Sequence, residues 1–141
     1  MPHSYSAPQP VKLQAERIAG VNAVSSFDAG EVSINGQRHA ASVIVPWKGD
    51  VQPWGVARFE DLSTADFDRI AALQPELVIF GSGARIRFPA PALMRALIDR
   101  RIGLETMDSG AACRTYNVLV AEGRSAVLAL LIDTPSPRAP A

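Results

Sequence analysis

Two stretches of this chain are apolar without a break: Val78-Ile79-Phe80 within "ELVIFG", and Val127 to Ile132 within "SAVLALLI". Successive side chains of a strand point to opposite sides, so a strand with one wet face alternates apolar and polar residues. An unbroken apolar run needs cover on both faces, as the inner strands of a sheet have when helices pack above and below it. The rest of the chain must supply those layers. Its 141 residues suffice for one domain, which buries roughly 70% of its unfolded surface.

Between Asn22 and Pro46 the pattern is short and rich in turns: "VSSFDAGEVSINGQRHAASVIVP" carries Gly30 in one connection and Asn35-Gly36 in the next. Asn-Gly supplies the positive φ angles of a tight hairpin, and Val32 and Ile34 alternate with polar neighbours, which predicts a three-stranded antiparallel meander. "WKGDVQPWGVARFEDL" has no clear period and reads as an irregular crossing anchored by Trp47 and Trp54. After it the rhythm becomes helical. Ser63 stands three residues before Asp66, a capping-box spacing, and Phe67, Ile70 and Ala71 follow at helical intervals up to Pro75.

Pro91 suits a first helical turn, with Leu93, Met94, Leu97 and Ile98 as one apolar face, Arg100 and Arg101 at the negative end, and Gly103 as the stop. "GLETMD" reads as a strand. Ser109 is placed to cap a third helix reaching about Glu122, with Gly123 as its stop. Helices alternating with strands imply parallel neighbours joined by crossovers. The expected fold is α/β: a single three-layer domain over residues 20–132, with a mixed sheet, an N-terminal antiparallel meander and then alternating helices and strands. Residues 1–19 read as a flexible arm, and the proline-rich 133–141 as a disordered tail.

Fourteen basic residues balance fourteen acidic ones, so no overall field draws the chain to nucleic acid or anionic lipid. No apolar run approaches the roughly 20 residues of a membrane span. The lone cysteine, Cys113, has no internal disulfide partner, and the N-terminus resembles neither a secretory signal nor a transit peptide, which points to the cytoplasm. No Cys, His and carboxylate cluster has metal spacing, and no cofactor is implied.

In an open α/β sheet, ligands lie beyond the carboxyl ends of the strands, where loops enter helix N-termini. Two such ends are visible, Gly81-Ser82-Gly83 and Asp108-Ser109-Gly110, and they face each other if their strands are parallel neighbours. One reading is an anion cradle, with Arg85 and Arg87 as clamps. The other is a structural turn, which is favoured because the dinucleotide spacing of glycines and the P-loop lysine are both missing. From Arg85 to Arg101 there are five arginines and one acid, Asp99, a local charge of +4. That is either a solvated helix face or a docking surface for an acidic partner.

Cys113, near a helix start, is a thiol nucleophile or a small buried hydrophobe; packing is favoured because the two histidines, His3 and His39, are remote in sequence. Asp108 is a general base or a helix cap, with the cap favoured. Arg114, Thr115, Tyr116 and Asn117 offer polar groups spread around most of the helix surface, with no evident nucleophile and base pair among them.

Met107-Asp108, Ala112-Cys113-Arg114-Thr115-Tyr116-Asn117 and Glu122-Gly123-Arg124, together with "ELVIFGSG" and Trp54, resemble the small α/β family that includes assembly factor three of mitochondrial respiratory complex I. The likeness covers about residues 20–132 and is closest to the bacterial branch of that family. It implies a three-layer domain without a known cofactor or established reaction, and a non-catalytic assembly role in the mitochondrial relatives. The leading expectation is therefore a non-enzymatic module that binds a protein partner. The alternative is a small-molecule or anion site, with or without catalysis, between the Gly81 and Asp108 loops. Self-association through the meander or the arginine-bearing helix is a third reading.

Overall fold

The computed structural model describes residues 20–133. The expected arm at 1–19 and the tail after Asp133 lie outside the described residues. Eight strands and three α-helices follow in order: β1 Val24–Asp28, β2 Glu31–Ile34, β3 Gln37–His39, β4 Val43–Pro46, β5 Gln52–Pro53, α1 Thr64–Ala71, β6 Leu77–Gly81, α2 Arg95–Asp99, β7 Gly103–Met107, α3 Ser109–Ala121 and β8 Ala126–Leu130.

They form two sheets. β1-β2-β3 is an antiparallel meander, turning at Asn35 and Gly36, both at positive φ. β5-β4-β8-β6-β7 is mixed, with β6 parallel to both β7 and β8, and β4 antiparallel to β8. The segment from Asn22 to Pro46 thus holds four strands where the turn signals predict three. Its last strand, Val-Ile-Val-Pro, is buried throughout, so it belongs inside a covered sheet and leaves the meander to pair with β8.

The apolar runs occupy the two inner parallel strands, and their alternation makes two cores. Val78, Phe80, Val127, Ala129 and Leu131 face α1 and α2, through Phe67, Ile70, Ala71 and Leu97. Ile79, Ala126, Leu128, Leu130 and Ile132 face α3 and the meander, through Ala112, Cys113, Tyr116, Val24, Val32 and Ile34. Each strand is apolar on both sides because each side has its own layer to meet. Trp54 anchors the irregular crossing as expected: it is buried beside Phe80, and its indole N–H donates to Asp66 at 3.2 Å. Asp66 also accepts from the backbone N–H of Ser63 at 2.8 Å, which completes the predicted cap of α1.

The second helix departs from its expected face. Residues Pro91–Met94 form a 3₁₀ turn before the short α2, which rotates Leu97 into the core and leaves Ile98 54% exposed. The third helix is capped by Asp108 rather than Ser109: the Asp108 carboxylate accepts from the Ala111 N–H at 2.9 Å, and Ser109 is the first helical residue.

The meander is tied to the main sheet by buried polar side chains. Asn117 on α3 lies beside β1 and behaves as a missing strand: its carbonyl accepts from the Val24 N–H and its amide donates to the Val24 carbonyl, both at 2.8 Å. From the preceding residue, the Tyr116 hydroxyl donates between the carbonyls of Pro46 and Asn22, at 3.1 and 3.2 Å. Asn22 donates to Pro46 and Gly49 and accepts from Asn35. Truncating one partner of a buried pair costs about 1–3 kcal/mol for each group left unsatisfied. Asn117→Ala orphans two, so its urea midpoint is expected to fall well below that of Asn117→Asp, which keeps the acceptor; equal midpoints would show that the side chain does not hold β1.

Candidate functional site

β6 and β7 end side by side, with Gly81 opposite Met107, so the two strand-end loops do face each other. They are also fastened together. The Ser82 N–H donates to the Met107 carbonyl at 2.9 Å, the Ser109 N–H to the Gly83 carbonyl at 2.8 Å, and the Gly83 N–H to the Ser109 hydroxyl at 2.9 Å. The Ser109 hydroxyl in turn donates to the Leu131 carbonyl at 2.9 Å, which ties in the end of β8.

The glycines serve this closure. A Cβ on Gly81 would stand 2.7 Å from Leu130 and 3.1 Å from both Ala112 and Ser109, so the strand end and helix start meet only without a side chain there. Gly83 has φ +104, a conformation that L side chains rarely adopt. Overpacking of a fixed backbone typically costs about 1–3 kcal/mol. Gly81→Ala is expected to lower thermal stability accordingly, while Gly30→Ala, at a turn with open space around it, leaves the melting temperature within a degree or two.

Beyond the loops lies a crevice of about 500 Å³, lined by Phe27, Asp28, Ala29, Gly83, Ala84, Asp108, Ser109, Gly110, Leu131 and Asp133. Three of these are carboxylates and none is basic. The N–H groups of Gly83, Ser109, Ala111 and Ala112 already have partners within the loops. An anion would meet three carboxylates and no basic side chain, so the crevice does not have the character of the anion cradle considered from sequence.

Nor do the two arginines act as a pair of clamps. Arg87 turns inward: its Nη1 donates to Glu60 at 2.8 Å, its guanidinium lies 5.0 Å over the Phe59 ring, and Phe59 packs on Phe80. Arg85 stays exposed. The strand-like alternation that would align them is broken by Ser82, whose hydroxyl accepts from the Arg87 N–H at 2.9 Å and donates to the Arg85 carbonyl at 2.7 Å. Ile86 and Phe88 are left 52% and 75% exposed on this pinned loop. Neither stood out in the sequence, because a single phenylalanine before a proline carries no period.

Of the residues singled out from sequence, the crevice gathers Gly83, Asp108, Ser109 and Gly110. Gly81 and Ser82 stand behind it as structural supports. Cys113, Tyr116 and Asn117 are buried against the meander, Arg114 is exposed, and Thr115 donates to the Met107 sulfur at 3.2 Å. Phe27, Asp28, Ala29, Ala84, Leu131 and Asp133 were not anticipated. Phe27 to Ala29 reach the crevice only because the meander folds back over α3, a long-range event that no local pattern encodes. Among the described residues, no group of three or more His, Cys, Asp or Glu is placed to hold a metal, and no helix is long and apolar enough to cross a membrane.

Burial pushes the Cys113 thiol up from 9.0 to about 12, with the Arg114 charge opposing this weakly, so the group is a packed hydrophobe at neutral pH. A thiol raised in the folded state adds stability that is fully present below the unfolded value and lost as pH rises through the folded one. The loss is therefore expected between about 9 and about 12. Alkylation of native protein at pH 7.5 is expected to track global unfolding; labelling as fast as that of a free thiol would contradict the burial.

A family model described as "Protein of unknown function (DUF498/DUF598)" matches residues 24–131. The chain is 31% identical over 110 residues to "NADH dehydrogenase [ubiquinone] 1 alpha subcomplex assembly factor 3" of Bos taurus, covering 77% of this chain and 59% of that protein. It is 28% identical over 123 residues to the protein of the same name in Homo sapiens, covering 86% and 66%. It thus spans about three fifths to two thirds of these curated relatives. Among solved structures, a Bordetella parapertussis protein is similar at TM-score 0.78 and 35% identity, covering 83% of this chain and all of that one. A Bordetella pertussis protein described as an Mth938-like domain is similar at TM-score 0.76 and 29% identity, covering 90% and 96%.

Proposed function

We propose, from the premise that this chain belongs to the protein family of unknown function DUF498/DUF598, that it is a non-enzymatic binding module serving assembly of a respiratory NADH dehydrogenase. The observation that carries this reading is the loop from Arg85 to Phe88. Two large apolar side chains stand in solvent within three residues of each other, on a backbone fixed by Ser82 and beside a core-anchored Arg87. Protein interfaces are enriched in aromatic side chains and arginine, and a rigid loop loses little entropy when it docks.

The polar groups of the types that do chemistry are committed elsewhere. Asp108 caps α3, Ser109 and Ser82 close the loops, and Tyr116 and Asn117 hold the meander. The relatives named as assembly factors supply the kind of partner: a subunit or intermediate of the NADH dehydrogenase. The buried lone thiol and the likeness to bacterial proteins support a site of action in a bacterial cytoplasm.

The test is affinity purification of the tagged protein from its own cells, with quantitation of NADH dehydrogenase subunits. They are expected to co-purify, and Phe88→Ser is expected to reduce their recovery about tenfold or more while leaving the melting temperature unchanged. Undiminished recovery with Phe88→Ser would show that this loop is not the contact, and absence of those subunits would remove the assembly role.

A further inference from the structure

We infer that the Arg85–Phe88 loop and the acidic crevice are two halves of one self-complementary surface, and that its occupant is a second copy of this chain. The inference rests on reading the loop as a protein-binding surface and goes beyond the assembly role: in the free protein that surface is covered by a second copy. Charge is the first ground. Asp28, Asp108 and Asp133 line the crevice and are in no ion pair among the described residues, and Arg85 is in none either. The whole chain carries no net charge, so two copies approach without general repulsion, and the local charges of opposite sign can pair.

Shape is the second ground. The crevice has an apolar side formed by Phe27, Ala29, Ala84 and Leu131, and at about 500 Å³ it has room for an aromatic side chain. Phe88 and Ile86, on the loop that continues from Gly83 and Ala84, are 75% and 52% exposed.

Placement is the third. Gly83 and Ala84 line the crevice, and Arg85 to Phe88 continue directly from them. Even fully extended, four residues reach only about 14 Å. Donor and acceptor surfaces are therefore neighbours, the condition for a two-fold interface in which each copy gives its loop and receives the other's. An axis near Ala84 brings each Arg85 toward the carboxylates of the other copy and each Phe88 toward the other crevice. A head-to-tail contact would need the two halves on opposite sides of the molecule.

Light scattering coupled to size exclusion tests this at low salt and then at high salt. The expected mass at low salt is twice the 15.1 kDa of one chain, shifting toward one chain as salt screens the pairs. Arg85→Asp and Asp28→Arg singly are expected to weaken the dimer about tenfold or more, and the two combined in one chain to restore it, because a two-fold interface then regains both pairs in reversed order. As a measurement independent of those variants, Ala84→Cys is expected to cross-link to its own counterpart under mild oxidation, with buried Cys113 silent.

A wild-type chain that stays monomeric at millimolar concentration overturns the inference. So does a dimer untouched by both single variants, or an Ala84→Cys that does not cross-link. A monomeric wild type whose NADH dehydrogenase subunits are still lost with Phe88→Ser would sink the dimer and leave the assembly reading standing. A dimer that co-purifies none of those subunits would do the reverse.

Discussion

The structure depends on β8 having no wet side. Every residue from Ala126 to Leu130 is buried, so this strand must be flanked by β4 and β6 and roofed above and below at once. Burying an aliphatic side chain of this size contributes about 1.5–3 kcal/mol, and β8 with its extension through Ile132 supplies several. The two roofs differ in kind. Below, α1 and α2 cover the sheet with ordinary helical faces. Above, α3 covers only part, and the meander completes the layer with Val24, Val32 and Ile34.

The outer strands of a three-stranded meander carry unpaired backbone groups at their edges. The remedy here is side-chain mimicry. Asn117 satisfies both groups of Val24, and Tyr116 with Asn22 pins the entry and exit of the meander to Pro46. These three residues therefore connect the central strand's need for a roof with the position of Phe27 and Asp28, which reach over α3 to form one wall of the crevice.

Much of this was legible from local pattern. Unbroken apolar runs gave inner strands, Asn35-Gly36 gave the hairpin, and Ser63 with Asp66 gave the start of α1. The signals failed where two elements of similar local character go to different layers. Val43–Pro46 follows the meander without a strong break, and only its continuous burial beside β8 separates it. Ile98 failed for a smaller reason: a 3₁₀ turn changes the phase of a helix by tens of degrees, and periodicity read across the joint assigns the wrong face. At the site, the juxtaposition of the Gly81 and Asp108 loops was readable because parallel pairing follows from crossovers, but the sign of the crevice was not. Asp28 and Asp133 come from opposite ends of the described chain and meet only through the meander's return.

The distribution of committed and uncommitted groups bears on what kind of surface this is. Residue types that serve acid, base or nucleophilic chemistry cluster around the start of α3, yet each already has a structural partner: Asp108 an N–H, Ser109 a carbonyl, Tyr116 two carbonyls, Asn117 both groups of Val24, and Cys113 an apolar shell. A reaction centre keeps its polar groups poised for substrate, where they are held by neighbours but not consumed by them. Among the described residues, no ion pair holds Arg85, Asp28 or Asp133 at this end of the sheet, and beside them stand the exposed Ile86 and Phe88, a mixture of apolar bulk with charge of both signs. Such a mixture can bury surface and set register against another protein, because its apolar members gain by leaving water and its charges choose the orientation.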